Sequence, residues 1–218
     1  MAIVTFILGH SGSGKSYSLR NLNPEQTALI NVIGKPLPFR GKFKGMTSDN
    51  SEHICRTLPK IKSPVIVIDD FQYIMANEFM RRSHEKGYDK FNDIGRNAWD
   101  ILNAAISLPA DKRVYILSHT QESESGRTSI KTIGKMLDDK ITPEGMVTIV
   151  LRTQVIDGKY RFVTQNNGND TTKSPAGMFA DTLIDNDLAV VDAAICDYYG
   201  LSEAEEQPEQ PQQQGDAA

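Results

Sequence analysis

Gly9-His10-Ser11-Gly12-Ser13-Gly14-Lys15-Ser16 is the stretch that decides the fold class of this 218-residue chain. It matches the phosphate-loop pattern G-x-x-x-x-G-K-[ST]. The glycines permit positive φ and a close approach of the backbone to phosphate, and successive backbone N–H groups form a concave nest for an anion. Lys15 can reach the β- and γ-phosphate oxygens of a nucleotide, and the Ser16 hydroxyl can ligate Mg²⁺. The stretch therefore predicts a site for ATP and Mg²⁺.

The residues on either side supply the context that this motif needs. Residues 3–8 are a short, apolar, β-branched run, which predicts a buried strand that enters the loop. Residues 17–20 can continue as a helix, whose N-terminal partial positive charge favours an anion. Strand, glycine-rich loop and helix together predict that residues 9–16 and Tyr17 bind the nucleotide.

A second motif, Val65-Ile66-Val67-Ile68-Asp69-Asp70, is typical of a Walker B strand. Four apolar β-branched residues predict a central strand that delivers Asp69 beside the phosphate loop, where it can hold Mg²⁺ together with Ser16. Asp70 is next along the chain and can polarise the attacking water, a place that Glu usually takes in additional-strand ATPases. A strand that ends in a solvated Asp-Asp turn is the alternative.

Residues 113–120 predict another strand, and this one has a polar end. In the additional-strand class of phosphate-loop NTPases, a strand between the phosphate-loop strand and the Walker B strand ends in a residue that senses the γ-phosphate. Ser118 or His119 occupies that place, and we favour His119, with a purely structural histidine as the alternative. The predicted catalytic residues are therefore Lys15, Asp70 and His119.

The remaining patterns predict one α/β domain over residues 1–200, with a mostly parallel central sheet flanked by helices. Further strands are predicted at residues 27–33, 147–155 and 159–165, and helices at residues 51–58, 71–80, 94–106 and 188–199. Asp93 is a candidate N-cap for the helix that begins at residue 94. Asp157-Gly158 joins two predicted strands, which is a strong signal for a C-terminal β-hairpin.

Composition agrees with one globular domain followed by a tail. The chain is 39% hydrophobic and has a net charge of −4. Five of its 28 acidic residues and none of its 24 basic residues lie in residues 201–218, which leaves a near-neutral body with 23 acids. A near-neutral body neither supports nor excludes a nucleic-acid partner. The acidic, Gln- and Pro-rich tail at 201–218 predicts disorder.

Cysteine content and hydropathy favour a cytoplasmic protein. Cys55 and Cys196 are too few for a disulfide framework. No run of 18 apolar residues predicts a membrane span. The apolar N-terminal run lacks a basic leader and continues into the phosphate loop, so it predicts a core strand and not a signal peptide.

With these positions placed, the chain resembles a family of small phage-encoded RecA-like ATPases, which includes single-strand annealing proteins of phage recombination. The resemblance spans residues 1–200, and the order and spacing of its motifs are more specific than any one of them except the phosphate loop. The motifs lie at residues 9–16, 31–39, 65–70, 117–119, 134–138 and 164–179.

The resemblance implies a RecA-like core that binds and hydrolyses ATP, acts on single-stranded DNA and forms a homo-oligomer in the host cytoplasm. A single-strand-binding protein is a candidate partner. RecA-type recombinases carry a catalytic Glu just after the second strand, whereas this chain has Asn31-Val32-Ile33-Gly34 there. Either Asp70 takes that role or hydrolysis is slow, and annealing is easier to credit than full strand exchange. A helicase loader or replication accessory factor is the alternative, followed by a small-molecule kinase.

A RecA-like core presents two loops to DNA, one after the Walker B strand and one after the sensor strand. Here these are residues 81–91 and 121–135, in which cations contact the phosphate backbone and aromatic rings stack on bases. The candidate DNA-binding residues are Arg81, Arg82, Lys86, Tyr88, Lys90, Phe91, Arg127, Lys131 and Lys135. Residues 34–44 carry four more bases and no acid, and there we favour a solvated surface loop, with contact to a phosphate backbone as the alternative. For residues 81–91 the alternative is a loop that packs its aromatic side chains on the domain. Lys173 is a candidate contact to the nucleotide of a neighbouring protomer.

Overall fold

The apolar runs of the sequence form a mixed α/β fold around a mostly parallel sheet, which confirms the predicted fold class at this level. The computed structural model describes residues 1–134 and 136–201. Its strands are β1 (Ile3–Gly9), β2 (Thr27–Asn31), β3 (Lys44–Met46), β4 (Val65–Asp69), β5 (Arg113–Glu122), β6 (Thr128–Ile130), β7 (Ile149–Ile156), β8 (Lys159–Val163) and β9 (Leu183–Asp185). Its α-helices are α1 (Ser51–Thr57), α2 (Gln72–Arg81), α3 (Asp89–Ile106) and α4 (Leu188–Tyr199).

The sheet order brings the predicted functional strands together. The order is β3-β2-β4-β5-β1-β7-β8-β9, and β6 pairs with β5 outside this path. Strand β5 lies between β1 and β4, as predicted for the strand that carries His119. The parallel register pairs Gly9 with His119 across β1 and β5. Because parallel strands end at the same edge of a sheet, the phosphate loop, the Walker B carboxylates and His119 meet there.

The sheet is buried on both faces, which explains why its strands are continuously apolar. Neighbouring residues of β1 show the two faces: Phe6 packs in one hydrophobic cluster and Ile7 in the other. The first cluster contains buried residues of α1, α2 and α3. The second contains Leu188 and other residues of α4. The helices on the two faces exclude water from the strands that carry the site.

The predicted hairpin is present, and two predicted helix starts differ from the structure. Strands β7 and β8 pair antiparallel, with φ of 50° at Asp157 and 73° at Gly158, as a tight type I′ turn requires. The segment after the phosphate loop is a six-residue 3₁₀ helix, Ser16–Asn21. It does not continue further, since Pro24 disfavours helical backbone at Asn23. Asp93 is not an N-cap: α3 begins at Asp89.

Several features lie outside these expectations. The short strands β3, β6 and β9 carry too few residues for a periodic signal, and a π-helical turn spans Met136–Ile141. Lys135 and residues 202–218 of the tail predicted at 201–218 fall outside the described residues. Within the described part of the chain, each helix is too short or too polar to cross a membrane.

We expect Asp192 to be a main contributor to the stability of the α4 face. Arg113, only 9% exposed, donates from Nε and Nη2 to the two Asp192 oxygens at 3.0 Å each, and the Tyr115 hydroxyl donates to the same carboxylate. Asp192→Ala leaves this guanidinium buried without a counter-ion, and removal of one partner of a buried pair typically costs about 3 kcal/mol or more. Urea unfolding measures this destabilisation. Asp197→Ala, at an exposed position of the same helix, is the control, and equal stability of the two variants would contradict the assignment.

Candidate nucleotide-binding site

The phosphate loop is held in place by the Thr153 hydroxyl of strand β7. Ser13 Oγ donates to the His10 carbonyl at 2.7 Å and lies 2.6 Å from Thr153 Oγ1. A Cβ at Gly9 would lie 2.0 Å from the same Thr153 oxygen, so only glycine fits where β1 ends. Gly12 and Gly14 have φ of 76° and 98°, the left-handed backbone that turns N–H groups into a concave nest.

Lys15 lies inside the loop that precedes it. Its Nζ donates to the Gly9 carbonyl at 2.8 Å and to the His10 carbonyl at 2.9 Å, and the residue is only 6% exposed. Burial lowers the Lys15 pKa to about 8, although Asp70 and Asp69 act in the opposite direction. The ammonium is thus held next to the nest by weak neutral acceptors, which a phosphate oxygen can replace.

Ser16 and Asp69 form the pair predicted to hold Mg²⁺. Ser16 Oγ donates to Asp69 Oδ1 at 3.1 Å. Asp69 is 1% exposed, and its Oδ2 has no hydrogen-bond partner among the residues that the structure describes. Burial, and then the charge of Asp70, raise the Asp69 pKa to about 6. A buried carboxylate oxygen without a donor, beside a hydroxyl, fits a hard divalent cation.

The protein ligands of such an ion would be few. In residues 1–134 and 136–201, no group of three or more His, Cys, Asp or Glu side chains could hold a metal. This fits Mg²⁺, which keeps several water ligands and usually takes one or two protein ligands together with substrate phosphates.

Asp70 occupies a strained position at the end of β4. Its φ is 65°, a left-handed conformation that Asp tolerates better than most residues. The side chain is 1% exposed, and its Oδ2 is paired with Lys35. Its Oδ1 lies 3.8 Å from His119 Nε2. The reversal of the backbone therefore places the second carboxylate between a lysine and an imidazole.

His119 is oriented by residues of α2. The Gln72 amide oxygen accepts from the His119 backbone N–H at 3.2 Å, and the Tyr73 ring meets the imidazole edge-on at a centroid distance of 6.2 Å. Burial, and then the charge of Lys15, lower the His119 pKa to about 4, although Asp70 acts in the opposite direction. At neutral pH the imidazole is therefore uncharged and carries one N–H and one acceptor nitrogen.

A cavity of about 320 Å³ joins these groups. It is lined by Ser11, Gly12, Gly14, Lys15, Ser16, Tyr17, Lys35, Pro36, Pro38, His119 and Tyr160. The Tyr17 and Tyr160 rings lie 5.4 Å apart, and a Cβ at Gly14 would meet Tyr160 at 2.8 Å. The cavity thus combines two lysines with two aromatic rings, side chains that can contact phosphate and a planar ring, respectively.

Four residues of this site were given no site role from the sequence: Lys35, which lies within the motif at residues 31–39, and Gln72, Thr153 and Tyr160, which lie outside the motifs. Lys35 follows β2 at the functional edge of the sheet, so its place in the chain was a usable signal. Gln72 follows the Walker B carboxylates and carries a similar signal. Thr153 and Tyr160 reach the loop only through the pairing of β1 with β7 and of β7 with β8, which no local pattern reveals.

The predicted DNA-binding residues are in very different environments. In the first loop, Arg81 pairs with Asp49, and Arg82 pairs with Glu78, Glu85 and Asp93. Lys90 is 9% exposed and donates to two backbone carbonyls, and the Phe91 ring packs on Phe79. Five of the candidates are exposed: Arg81, in spite of its ion pair, and Lys86, Tyr88, Arg127 and Lys131. Lys135 is not among the described residues.

Lys173 lies in an ordered part of the polar loop. Its backbone N–H and C=O bond Val150 of β7 at 2.9 and 2.8 Å, and its side chain is half-buried. Nearby, Arg152 Nε lies 3.0 Å from Asp170 Oδ2, and both side chains are largely buried. The loop is therefore attached to β7, the strand whose Thr153 supports the phosphate loop.

Neither a protein-family model nor a curated relative matches this sequence. The assignment of the site therefore depends on its motifs and geometry.

The raised pKa of Asp69 gives a pH-dependent prediction. Its folded value of about 6 exceeds the usual 3.9 or so of an unfolded chain, so ionisation destabilises the fold progressively between about pH 4 and pH 6. Asp69→Asn removes this cost. The free energy of unfolding of the variant relative to wild type should therefore rise by an amount of the order of 2 kcal/mol between pH 4 and pH 7.5.

Urea unfolding without nucleotide and Mg²⁺ measures this difference. Asp111→Asn, at an exposed carboxylate, should show no such pH dependence relative to wild type. If the difference in unfolding free energy between Asp69→Asn and wild type does not change with pH, the pKa of Asp69 is not raised in the folded protein.

Proposed function

We propose that the protein is an ATPase with a RecA-like phosphate-loop core that acts on single-stranded DNA, most simply by annealing strands. The observation that carries this proposal is the convergence of the phosphate loop, Ser16 with Asp69, and Asp70 with His119 at the end of three adjacent parallel strands. The order β4-β5-β1, with His119 where the parallel pairing of β5 with β1 ends, supports the additional-strand class.

The residues in and beside the cavity can bind the triphosphate, the metal ion and the base of ATP. The triphosphate lies in the nest, where Lys15 exchanges its carbonyl acceptors for β- and γ-phosphate oxygens. Ser16 and Asp69 would hold Mg²⁺, which would neutralise phosphate charge. The base lies against the Tyr160 ring, which is 40% exposed and faces the cavity from strand β8.

Hydrolysis is assigned to Asp70 with help from His119. Asp70 accepts a proton from the attacking water as the water oxygen bonds the γ-phosphorus, and the bond from that phosphorus to the bridging oxygen breaks. The neutral His119 donates its N–H to the phosphoryl oxygens, where it adds no charge that would hold the product. Asn31 stands where recombinases have Glu, so Asp70 is the acid available to this reaction.

The pairing of β5 with β6 offers a link from the nucleotide to DNA, and one of its backbone hydrogen bonds is made by His119 itself. The N–H of Lys131 donates to the His119 carbonyl at 2.7 Å, in line with the pairing of β5 and β6. A shift of His119 toward a γ-phosphate therefore moves the segment that carries Arg127 and Lys131. Both side chains face solvent, so they are available to a phosphate backbone in a nucleotide-dependent way.

ATP binding and turnover test the enzyme proposal. Lys15→Ala should abolish tight ATP binding, since this is the lysine that the loop itself supplies to the phosphates. Asp70→Asn should bind ATP but hydrolyse it about 10²–10⁴-fold more slowly, the usual contribution of a general base. Nucleotide titration and phosphate release, each with and without single-stranded DNA, measure the two effects.

Lys42→Ala is the matched control, because Lys42 is exposed and does not line the cavity. Unchanged ATP affinity in Lys15→Ala would overturn the assignment of the loop. Wild-type turnover in Asp70→Asn would assign the proton transfer to another residue.

DNA binding is tested at Lys131. Lys131→Glu should weaken binding to single-stranded DNA and reduce the salt slope by about 0.7 for each phosphate that the side chain no longer neutralises. Fluorescence anisotropy at several salt concentrations, with and without ATP, measures both quantities. Lys60→Glu is the control, because Lys60 is exposed and precedes the N-terminal end of β4, whereas the site lies at the C-terminal end of that strand. If Lys131→Glu leaves affinity and slope unchanged, the second loop is not the DNA site.

A further inference from the structure

We propose that Lys35 is a second phosphate-binding lysine. When ATP binds, its ammonium group moves from Asp70 to the γ-phosphate, and the protein thereby distinguishes ATP from ADP. This inference depends on the proposed nucleotide site. It concerns how that site responds to the third phosphate, which the phosphate loop by itself does not explain.

The turn after β2 is built to deliver Lys35 to this edge of the sheet. Asn31 Nδ2 donates to the Lys35 carbonyl at 2.8 Å, and Asn31 Oδ1 accepts from the Gly34 N–H at 2.9 Å. Gly34 has a φ of 68°, which the reversal of the chain requires and glycine adopts without strain. Asn31 is itself paired with Asp69 across β2 and β4. The amide at the end of β2 therefore fixes the backbone of Lys35 next to the two carboxylates.

The side chain of Lys35 faces both the carboxylates and the cavity. It is 41% exposed, whereas its partner Asp70 is 1% exposed. It lines the same cavity as Lys15 and Ser16. A lysine that only neutralised Asp70 could be as buried as the carboxylate, but this one remains accessible from the space that the phosphates would fill.

A γ-phosphate offers Lys35 a stronger competing anion than Asp70 does. Phosphate presents several strong acceptor oxygens, and charge-assisted hydrogen bonds to them are among the strongest in proteins. ADP ends one phosphate earlier and leaves the Lys35–Asp70 pair in place. Transfer of the lysine removes the partner that holds Asp70 Oδ2, so the carboxylate is free to contact water only when a third phosphate is bound.

The affinities for Mg-ATP and Mg-ADP test this role. Lys35→Ala should weaken ATP binding by about tenfold or more, the usual effect of removing one hydrogen bond between charged groups, and should leave ADP binding unchanged. Lys35→Arg should keep most of the preference for ATP, because it keeps the cation. Lys42→Ala, in the same loop but outside the cavity, should match wild type.

The outcomes separate this inference from the proposed function. Wild-type protein that binds neither nucleotide would overturn both. If wild-type protein binds both but Lys35→Ala keeps the wild-type ratio of affinities, or weakens ATP and ADP binding equally, the γ-phosphate role is wrong. Because Lys35→Ala leaves Asp70 unpaired, the double variant Lys35→Met with Asp70→Asn removes both charges. An unchanged ATP-to-ADP ratio in that folded variant would also overturn the inference.

Discussion

Two adjacent carboxylates buried at the end of one strand are the constraint around which this structure is arranged. Asp69 and Asp70 are each about 1% exposed, and two charges in such a place repel each other unless cations or hydrogen bonds compensate. Ser16 and Lys15 compensate from the phosphate loop, and Lys35 compensates from the turn after β2. The phosphate loop, strand β4 and the turn after β2 are therefore held together by charge as well as by the apolar core.

The sequence predicted the parts of the site that depend on local pattern. The phosphate loop, the apolar run of β4 and the place of His119 at the end of the parallel part of β5 need only spacing and the common edge of a parallel sheet. That β5 continues to Glu122 depends on its pairing with β6. Lys35 was assigned to a surface-type loop because its partner lies 35 positions away in the chain. Thr153 and Tyr160 depend on which strand pairs with β1, and Asp93 was assigned as a cap because its pairing with Arg82 is a tertiary contact. Long-range pairing is what a pattern along one chain does not contain.

For the basic residues of the first loop, residues 81–91, sequence pattern predicted a binding role where long-range pairing had already satisfied some of the charges. Their interleaving with aromatics suited a nucleic-acid groove, yet Arg82 makes three ion pairs and Lys90 is buried against backbone carbonyls. Composition records how many charges a segment has, whereas geometry decides how many remain unsatisfied. In the second loop, Arg127 and Lys131 face solvent and lie next to the strand that ends at the site.

The cavity is lined by parts of the sheet that differ in origin. The phosphate loop, Lys35 and His119 belong to the parallel part, in which a change of register would displace them together. Tyr160 is carried by an antiparallel ribbon closed by a tight turn at Asp157-Gly158. Under the proposed nucleotide role, substitutions in this ribbon would alter the surface offered to the base while the phosphate loop keeps its geometry. Nucleobase preference and phosphate chemistry could then diverge separately among proteins built on this plan.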